Sequence, residues 1–254
     1  MGHLLYHHSG YQHFIRPSPS ALPELPEWAF NPQRLAEENV LTGTATGRAP
    51  VWFFTYQNHR MVLRHYWRGG FVAHLTPDRF IWQGLRRSRP WRELHILMQL
   101  RELGMTVPNP VGAKIERDRH RLLYRADIVT EEIPNALPLP DFFRAARSRN
   151  EHKNVCIKAG IAIAQLHALG AKHADLNVRN ILVSPPGEIS VIDWDKGSIS
   201  TTGKTNSTSA RRTLERLRRS IKKDPLLRDS HAEIFANIEE GYSSIRPTTE
   251  SDAK

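Results

Sequence analysis

The sequence predicts an α+β fold in two lobes, and three features carry the prediction. β-rich runs separated by tight turns dominate residues 40–134. A single segment among them has helical spacing. Beyond Leu139 the balance shifts to helix, interrupted by one short hairpin. The expected division is a lead-in over 1–39, an N-terminal lobe of antiparallel sheet plus one helix over 40–134, a mainly helical C-terminal lobe over 135–244 and a disordered tail over 245–254.

The lead-in is rich in Pro and His, has no clean period and reads as loosely structured. From Val40, NVLTGTATGRAPVWFFTYQNHRMVLRHYWRGG predicts strands around Val51–Tyr56 and Met61–Tyr66, joined by the turn QNHR and preceded by a loop bearing Gly43 and Gly47. Two glycines in a Thr-rich loop either make a turn or cover a phosphate. In SRPWRELHILMQLRELGMTVPNPVG, Leu94, Leu97, Met98 and Leu100 fall at helical spacing, and Gly104 and Pro108 stop the run, so a helix is expected over about Pro90–Leu103. VGAKIERDRHRLLYRADIVTEEI alternates around a basic turn and predicts a hairpin. A short helix near Asp141–Ala146 follows, then an apolar helix over 155–170 closed by Gly170. ILV (181–183) and SVI (190–192) read as two strands around SPPGE. A last helix over 209–223 carries Leu214, Leu217 and Ile221 on one side, with its arginines expected to face outward.

At 254 residues and 39% hydrophobic content the chain can bury a substantial core. No run of eighteen apolar residues occurs, and the opening MGHLLYHHSGYQHFIRP lacks a cationic start and an apolar core, so neither a membrane span nor a secretory leader is expected. The lone Cys156 excludes an internal disulfide and suits a reducing compartment. A net charge of +10 calls for an anionic counterpart: nucleic acid, a phosphate-bearing substrate or acidic lipid. The excess sits in RRSRPWR (86–92), ERDRHR (116–121), RAARSR (144–149) and RRTLERLRRSIKK (211–223), any of which could simply be a solvated face. His7, His8 and His13 lack a supporting carboxylate or Cys pattern and are read as solvated rather than metal-binding.

The stretch HADLNVRNILVSPPGEISVIDWDKG (173–197) sets polar groups among Ile, Leu and Val. Asp175 and Asn180, five residues apart on a loop, and Asp193 directly after an apolar strand, supply three oxygen ligands or acceptors. Hard cations such as magnesium prefer such oxygens and often bind few protein groups plus substrate phosphates.

HADLNVRN resembles the protein-kinase catalytic loop H-R-D-L-x-x-x-N, and VIDWDKG resembles the D-F-G segment. The resemblance implies that Asp175 is the base orienting the acceptor hydroxyl, that Asn180 and Asp193 hold magnesium, and that His173 and Asn177 are structural members of the loop. Ala174, Asn177 and Trp194-Asp195 depart from the protein-kinase pattern, and no A-P-E follows, which argues against an ordinary protein kinase. H-x-D-L-N-x-x-N with I-D-[FW]-D is instead similar to kinases of bacterial lipopolysaccharide. VLRHYWRGGF (62–71), RSRPWRELHILMQLRELGMTVPNPVGA (87–113) and LLYRADIVTEEI (122–133) extend the resemblance to the family of 3-deoxy-D-manno-octulosonic acid (Kdo) kinases, over about Gly43 to Lys222.

That family implies a bilobal protein-kinase-like fold and phosphorylation of the 4-hydroxyl of Kdo in Kdo-lipid A during lipopolysaccharide core biosynthesis. It also implies ATP and Mg2+ as cofactors, and a peripheral enzyme on the cytoplasmic face of the inner membrane. Arg64 then stands where V-A-I-K kinases carry Lys, with Glu93 as its partner on the following helix, and its planar fork suits phosphate oxygens. A surface arginine and a solvated helix glutamate are the plainer readings of the two. In the same frame Gly43 and Gly47 cover the nucleotide phosphates. The anionic glycolipid fits the basic clusters 86–92 and 211–223, and no nucleic-acid partner is expected. An atypical serine kinase or a small-molecule phosphotransferase shares this catalytic loop and is the alternative. A nucleic-acid binder rests on charge alone. An inactive scaffold is disfavoured because base and both metal ligands are present.

Overall fold

The computed structural model describes residues 2–45, 50–68, 76–145, 148–185, 187–200, 205 and 207–245. The chain divides into two units, Met1–Glu102 with Pro108–Glu132, and Leu103–Val107 with Ile133–Lys254. Gly47 and nearly all of the expected tail lie outside the described residues.

The first unit begins with β1 (His3–Ser9) and β2 (Gln12–Ser18), which pair antiparallel around a two-residue connection whose Gly10 has φ +59°. A glycine at that position adopts the positive φ that tight hairpins need. The expectation of a loose lead-in over 1–39 is therefore corrected: β2 continues into the sheet by pairing with β7 (Pro110–Arg117). The His-rich side chains hide the alternation of β1, most of which is exposed. After a 3₁₀ turn at Glu27–Phe30 comes α1 (Pro32–Glu37), started by Asn31, whose side chain accepts from the backbone N–H of Gln33, with Pro32 at the first helical position.

The remaining elements are β3 (Leu41–Ala45), β4 (Val51–Tyr56), β5 (His59–His65), β6 (Phe80–Ile81), α2 (Arg89–Glu102), β7 and β8 (Leu123–Glu131). The sheet runs β1-β2-β7-β8-β5-β4-β3, with β6 also on β8, and every pairing is antiparallel. Gly43, expected in a loop, lies within β3 opposite Phe53, just past a bulge.

Successive strand residues point to opposite faces, and this sheet buries both. Phe14, Phe54, Met61, Leu63 and Val129 meet Ala29, Phe30 and Leu35 on one face. Ile15, Ala113, Ile115, Ala126 and Ile128 meet Leu94 of α2 on the other. A bulge between Pro110 and Gly112 reverses parity in β7, which is how Val111 and Ala113 join opposite clusters. Residues 27–37 thus cover a face that α2 cannot reach. Each large side chain taken out of water there contributes roughly 1.5–3 kcal/mol.

The second unit contains β9 (Leu137–Pro138), α3 (Leu139–Ala145), α4 (Arg149–Ala168), β10 (Ala171–Lys172), β11 (Ile181–Val183), β12 (Ile189–Val191), β13 (Ser198–Ile199), α5 (Ser207–Lys223) and α6 (His231–Ser244). α4 starts six residues earlier than periodicity suggests, because Ser148 and Glu151 form a reciprocal capping box. It packs on α6 through two glycines. A Cβ on Gly160 would lie 2.0 Å from the Ile238 carbonyl oxygen, and one on Gly241 2.0 Å from that of Ile157, so the helices touch backbone to backbone. Cys156 is buried in α4, and burial pushes its thiol up to about 12.

Candidate active site

β5 and α2 bring the first group of candidate residues together. Met61 and Leu63 are committed to one face of the sheet, so Arg64 and Tyr66 project to the other, toward α2. There Arg64 Nη2 donates to Glu93 Oε1 at 2.5 Å, and the Tyr66 hydroxyl donates to Glu93 Oε2 at 2.6 Å. The Arg64 guanidinium also lies 5.0 Å from the Tyr66 ring centre. Glu93 is 2% exposed. A buried carboxylate must be paired and hydrogen-bonded, and here one oxygen is met by a cation and the other by a hydroxyl. The plainer readings of a surface arginine and a solvated glutamate do not describe this pair. Tyr66 is not among the residues singled out from the sequence, although its i+2 relation to Arg64 on a strand carries the signal. Gly43, separated from β5 by β4, would meet only Phe53 at 3.9 Å if it carried a Cβ.

The second group lies on the loop between β10 and β11 and just beyond β12. Ile181 pairs with Val191, and the Ile192 N–H donates to the Asn180 carbonyl at 3.0 Å, so Asn180 and the residue before Asp193 sit at one end of the hairpin. Asp193 holds φ +63°, a conformation that costs a non-glycine residue energy. Trp194 beside it is fully buried, and its Nε1 donates to the Val191 carbonyl at 2.9 Å. The Trp that replaces the usual Phe is an anchor for the turn carrying Asp193.

Asp175 is exposed, but its backbone is tightly held. The N–H of Asp175 donates to His173 Nδ1 at 3.2 Å, and its carbonyl accepts from Asn177 Nδ2 at 3.0 Å and Asn180 Nδ2 at 3.1 Å. Asn177 Oδ1 accepts in turn from the Arg179 N–H at 3.0 Å. His173 packs edge-on against Trp194 at 4.9 Å, and its Nε2 meets the Ile192 carbonyl at 2.9 Å. An N–H partner on Nδ1 and a carbonyl on Nε2 require the neutral ring with its proton on Nε2. Burial lowers the His173 pKa and outweighs the Ile192 carbonyl and the Asp193 and Asp175 carboxylates, which raise it.

A third layer, not anticipated from the sequence, supports this loop from α5 and the turn after it. Ser220 Oγ accepts from the Val178 N–H at 3.1 Å, Arg216 donates to the Ala174 carbonyl, and Arg179 Nη2 meets buried Asp224 at 3.1 Å. The expectation that the arginines of this helix all face outward is corrected at Arg216. Its partner is a backbone carbonyl, a contact invisible to any pattern of side-chain types.

Among the described residues no group of three or more His, Cys, Asp or Glu could hold a metal ion. The candidate set is instead one acid and one amide, Asp193 and Asn180. The Asn180 nitrogen is turned to the Asp175 carbonyl, which turns its oxygen the other way. Few, oxygen-only protein ligands fit magnesium shared with phosphates better than zinc or a transition metal.

A model of the lipopolysaccharide kinase (Kdo/WaaP) family matches residues 33–238. The chain is 35% identical over 207 residues to a 3-deoxy-D-manno-octulosonic acid kinase of Vibrio vulnificus, covering 81% of this chain and 84% of that one. It is 32% identical over 203 residues to the enzyme so named in Vibrio cholerae, covering 80% and 83%. With that of Stenotrophomonas maltophilia it shares 35% over 218 residues, covering 85% and 81%. Among solved structures, WaaP in complex with acyl carrier protein aligns over 89% of both chains with a TM-score of 0.53 and 16% identity, a likeness of fold. With an α+β architecture of the protein-kinase type and this extent of sequence match, the chain belongs to the lipopolysaccharide kinase (Kdo/WaaP) family.

Proposed function

We propose that the protein transfers the γ-phosphoryl group of ATP to the 4-hydroxyl of Kdo in Kdo-lipid A during assembly of the lipopolysaccharide core. The observation that carries the reading is Asp175, an exposed carboxylate on a loop whose backbone is tied down at Ala174, Asp175, Val178 and Asn180. A base held this way orients and deprotonates a hydroxyl at little reorganisation cost. Named Kdo kinases of similar length and 32–35% identity support the choice of acceptor.

In this reading Asn180 and Asp193 hold magnesium. When bound, the ion neutralises charge on the transferring phosphates. Arg64 clamps phosphate oxygens, and Glu93 and Tyr66 fix its guanidinium. His173 and Asn177 act through the loop. The acceptor is a membrane glycolipid, so the enzyme works peripherally at the cytoplasmic face of the inner membrane. Among the described residues no helix is long and apolar enough to cross a membrane, which is compatible with that placement.

The test is the mass of Kdo-lipid A after incubation with the protein, ATP and magnesium, beside a generic protein substrate. A gain of one phosphoryl group on the glycolipid, located on the 4-hydroxyl by phosphorus–proton correlation, is the expected outcome. Labelling of the protein substrate with none on Kdo-lipid A would overturn the assignment in favour of an atypical serine kinase.

A further inference from the structure

One end of the first unit's sheet gathers three connections: the β1–β2 turn, the β7–β8 turn and the residues at β6. Hydrogen bonds and cation–ring contacts bind them together. The Arg117 N–H donates to the Tyr11 carbonyl at 2.9 Å, the Trp82 N–H donates to the Leu122 carbonyl at 2.8 Å, and Arg117 Nη2 donates to the Arg121 carbonyl at 3.0 Å. The Arg121 guanidinium lies 5.6 Å from the Tyr11 ring centre and that of Arg117 4.5 Å from Trp82.

This end carries exposed apolar side chains where a turn would ordinarily be polar. Ile81 is 64%, Leu122 68% and Tyr11 47% exposed. They are interleaved with Arg117, Arg119 and Arg121. The acid within the turn, Asp118, is occupied in building it, accepting from the Leu123 N–H at 2.9 Å. Glu116, two residues before it, lies 3.5 Å from Lys114. Arg121 itself sits at φ +58°, where glycine or asparagine would be less strained. Burial first, and then the neighbouring Arg121 charge, lowers the Arg117 pKa, and burial followed by the Arg117 charge lowers that of His13.

We propose that this tip, Tyr11, Ile81 and Leu122 with Arg119 and Arg121, docks the protein on an anionic lipid bilayer. Exposed apolar side chains at this end enter the boundary between head groups and acyl chains, while arginines around them meet lipid phosphates. Charge complementarity selects that occupant: a second copy of this +10 chain would set like charges against one another, and an apolar protein groove would leave the arginines unmatched. Of the other basic clusters, 211–223 commits Arg216 to the Ala174 carbonyl and, in 86–92, Arg89 lies 4.1 Å from the Phe80 ring centre. The proposal rests on the membrane-glycolipid reading for its purpose, but its test needs neither acceptor nor ATP.

Sedimentation of the full chain with vesicles of phosphatidylcholine, with and without phosphatidylglycerol, measures docking directly. The protein is expected to partition onto the phosphatidylglycerol vesicles and to leave them as salt rises. Ile81→Asp with Leu122→Asp, and separately Arg119→Glu with Arg121→Glu, should each weaken partitioning about tenfold or more, with unchanged thermal unfolding and unchanged phosphorylation of a deacylated, water-soluble Kdo acceptor. Wild-type partitioning by both double variants would overturn the proposal, as would equal binding to neutral vesicles. Sedimentation velocity showing an oligomer that these substitutions dissociate would reassign the tip to self-association. Tip-dependent vesicle binding by a protein that phosphorylates no Kdo acceptor would retain the docking surface and remove the substrate reading.

Discussion

Arg64 donates to Glu93 across 2.5 Å, with the carboxylate side chain 3% and the guanidinium side chain 25% exposed. The pair is thus unequal: its acid is buried and its base reaches toward solvent. Removing the base strands a buried charge, which costs about 3–5 kcal/mol, whereas removing both members costs less. Arg64→Ala and Glu93→Ala should each lower kcat/KM for ATP, with strongly non-additive losses in a double-mutant cycle. Arg64→Lys should restore activity only in part, since Lys lacks the planar fork. Tyr66→Phe should cost about 1.5–3 kcal/mol of stability by removing a hydrogen bond to a charged group. Strictly additive kinetic losses would show that another cation holds the phosphates.

Asp175→Asn is expected to reduce turnover by ~10²–10⁴ with nucleotide binding almost unchanged. Activity should vanish with chelator, return with magnesium, and require far more metal in Asn180→Ala. Full activity in chelator would sink the assignment of Asn180 and Asp193.

Ser220 touches no reacting group in this scheme, yet it accepts from the Val178 N–H inside the loop. Ser220→Ala leaves that buried donor unmatched, at about 1–3 kcal/mol. The expected signature is a lower kcat with KM for ATP unchanged, and Ser220→Thr, which keeps the hydroxyl, should recover most of it. A shift in KM alone would argue against a positioning role.

Gly160→Ala and Gly241→Ala should both destabilise the second unit. A methyl group at either site meets a carbonyl oxygen at 2.0 Å, and α4 and α6 must move apart to admit it. Losses of about 1–3 kcal/mol are typical for overpacking and would appear as a lower denaturant midpoint with the slope preserved. Wild-type midpoints would show that the helices do not meet so closely.

Histidine ionisation gives stability a pH dependence of mixed sign. Burial lowers His167 to about 4 and also lowers His173 below 6.5. Between 6.5 and about 4 the unfolded chain binds protons that the folded chain refuses, so stability falls as pH falls through that window, by up to about 3 kcal/mol for His167. Protonating His173 would also break the hydrogen bond from the Asp175 N–H to its Nδ1. His65 runs the other way. Burial pulls its pKa down, but the hydrogen bond to Asp127, with the charges of Asp127 and Asp78, raises it overall. Its contribution is complete below 6.5 and is lost as pH rises through the raised value. Denaturant unfolding at stepped pH should show a shallower acid slope in His167→Asn than in the wild type. Identical slopes would mean that His167 is not the buried neutral group described here.

The features legible in the sequence are those whose determinants lie within one element or one loop. β4, α2 and the β7–β8 hairpin follow from period and turn residues, and the spacing of His173, Asp175, Asn180 and Asp193 follows from a contiguous stretch. Two caps, Asn31 before Pro32 and Ser148 with Glu151, were written there as well, in motifs that periodicity alone overlooks.

Tertiary structure decided the rest, because it depends on partners distant in the chain. A sheet with two apolar faces needs two covers, and nothing local in residues 27–37 says that they supply the second, or that β1 and β2 extend the edge. The same holds for Arg216 on the Ala174 carbonyl, for Ser220 beneath Val178, and for Gly160 against the backbone of α6. In each case a side chain, or its absence, answers to a backbone group dozens of residues away. Backbone groups are identical at every position in a sequence, so only the fold shows which of them has been left to satisfy.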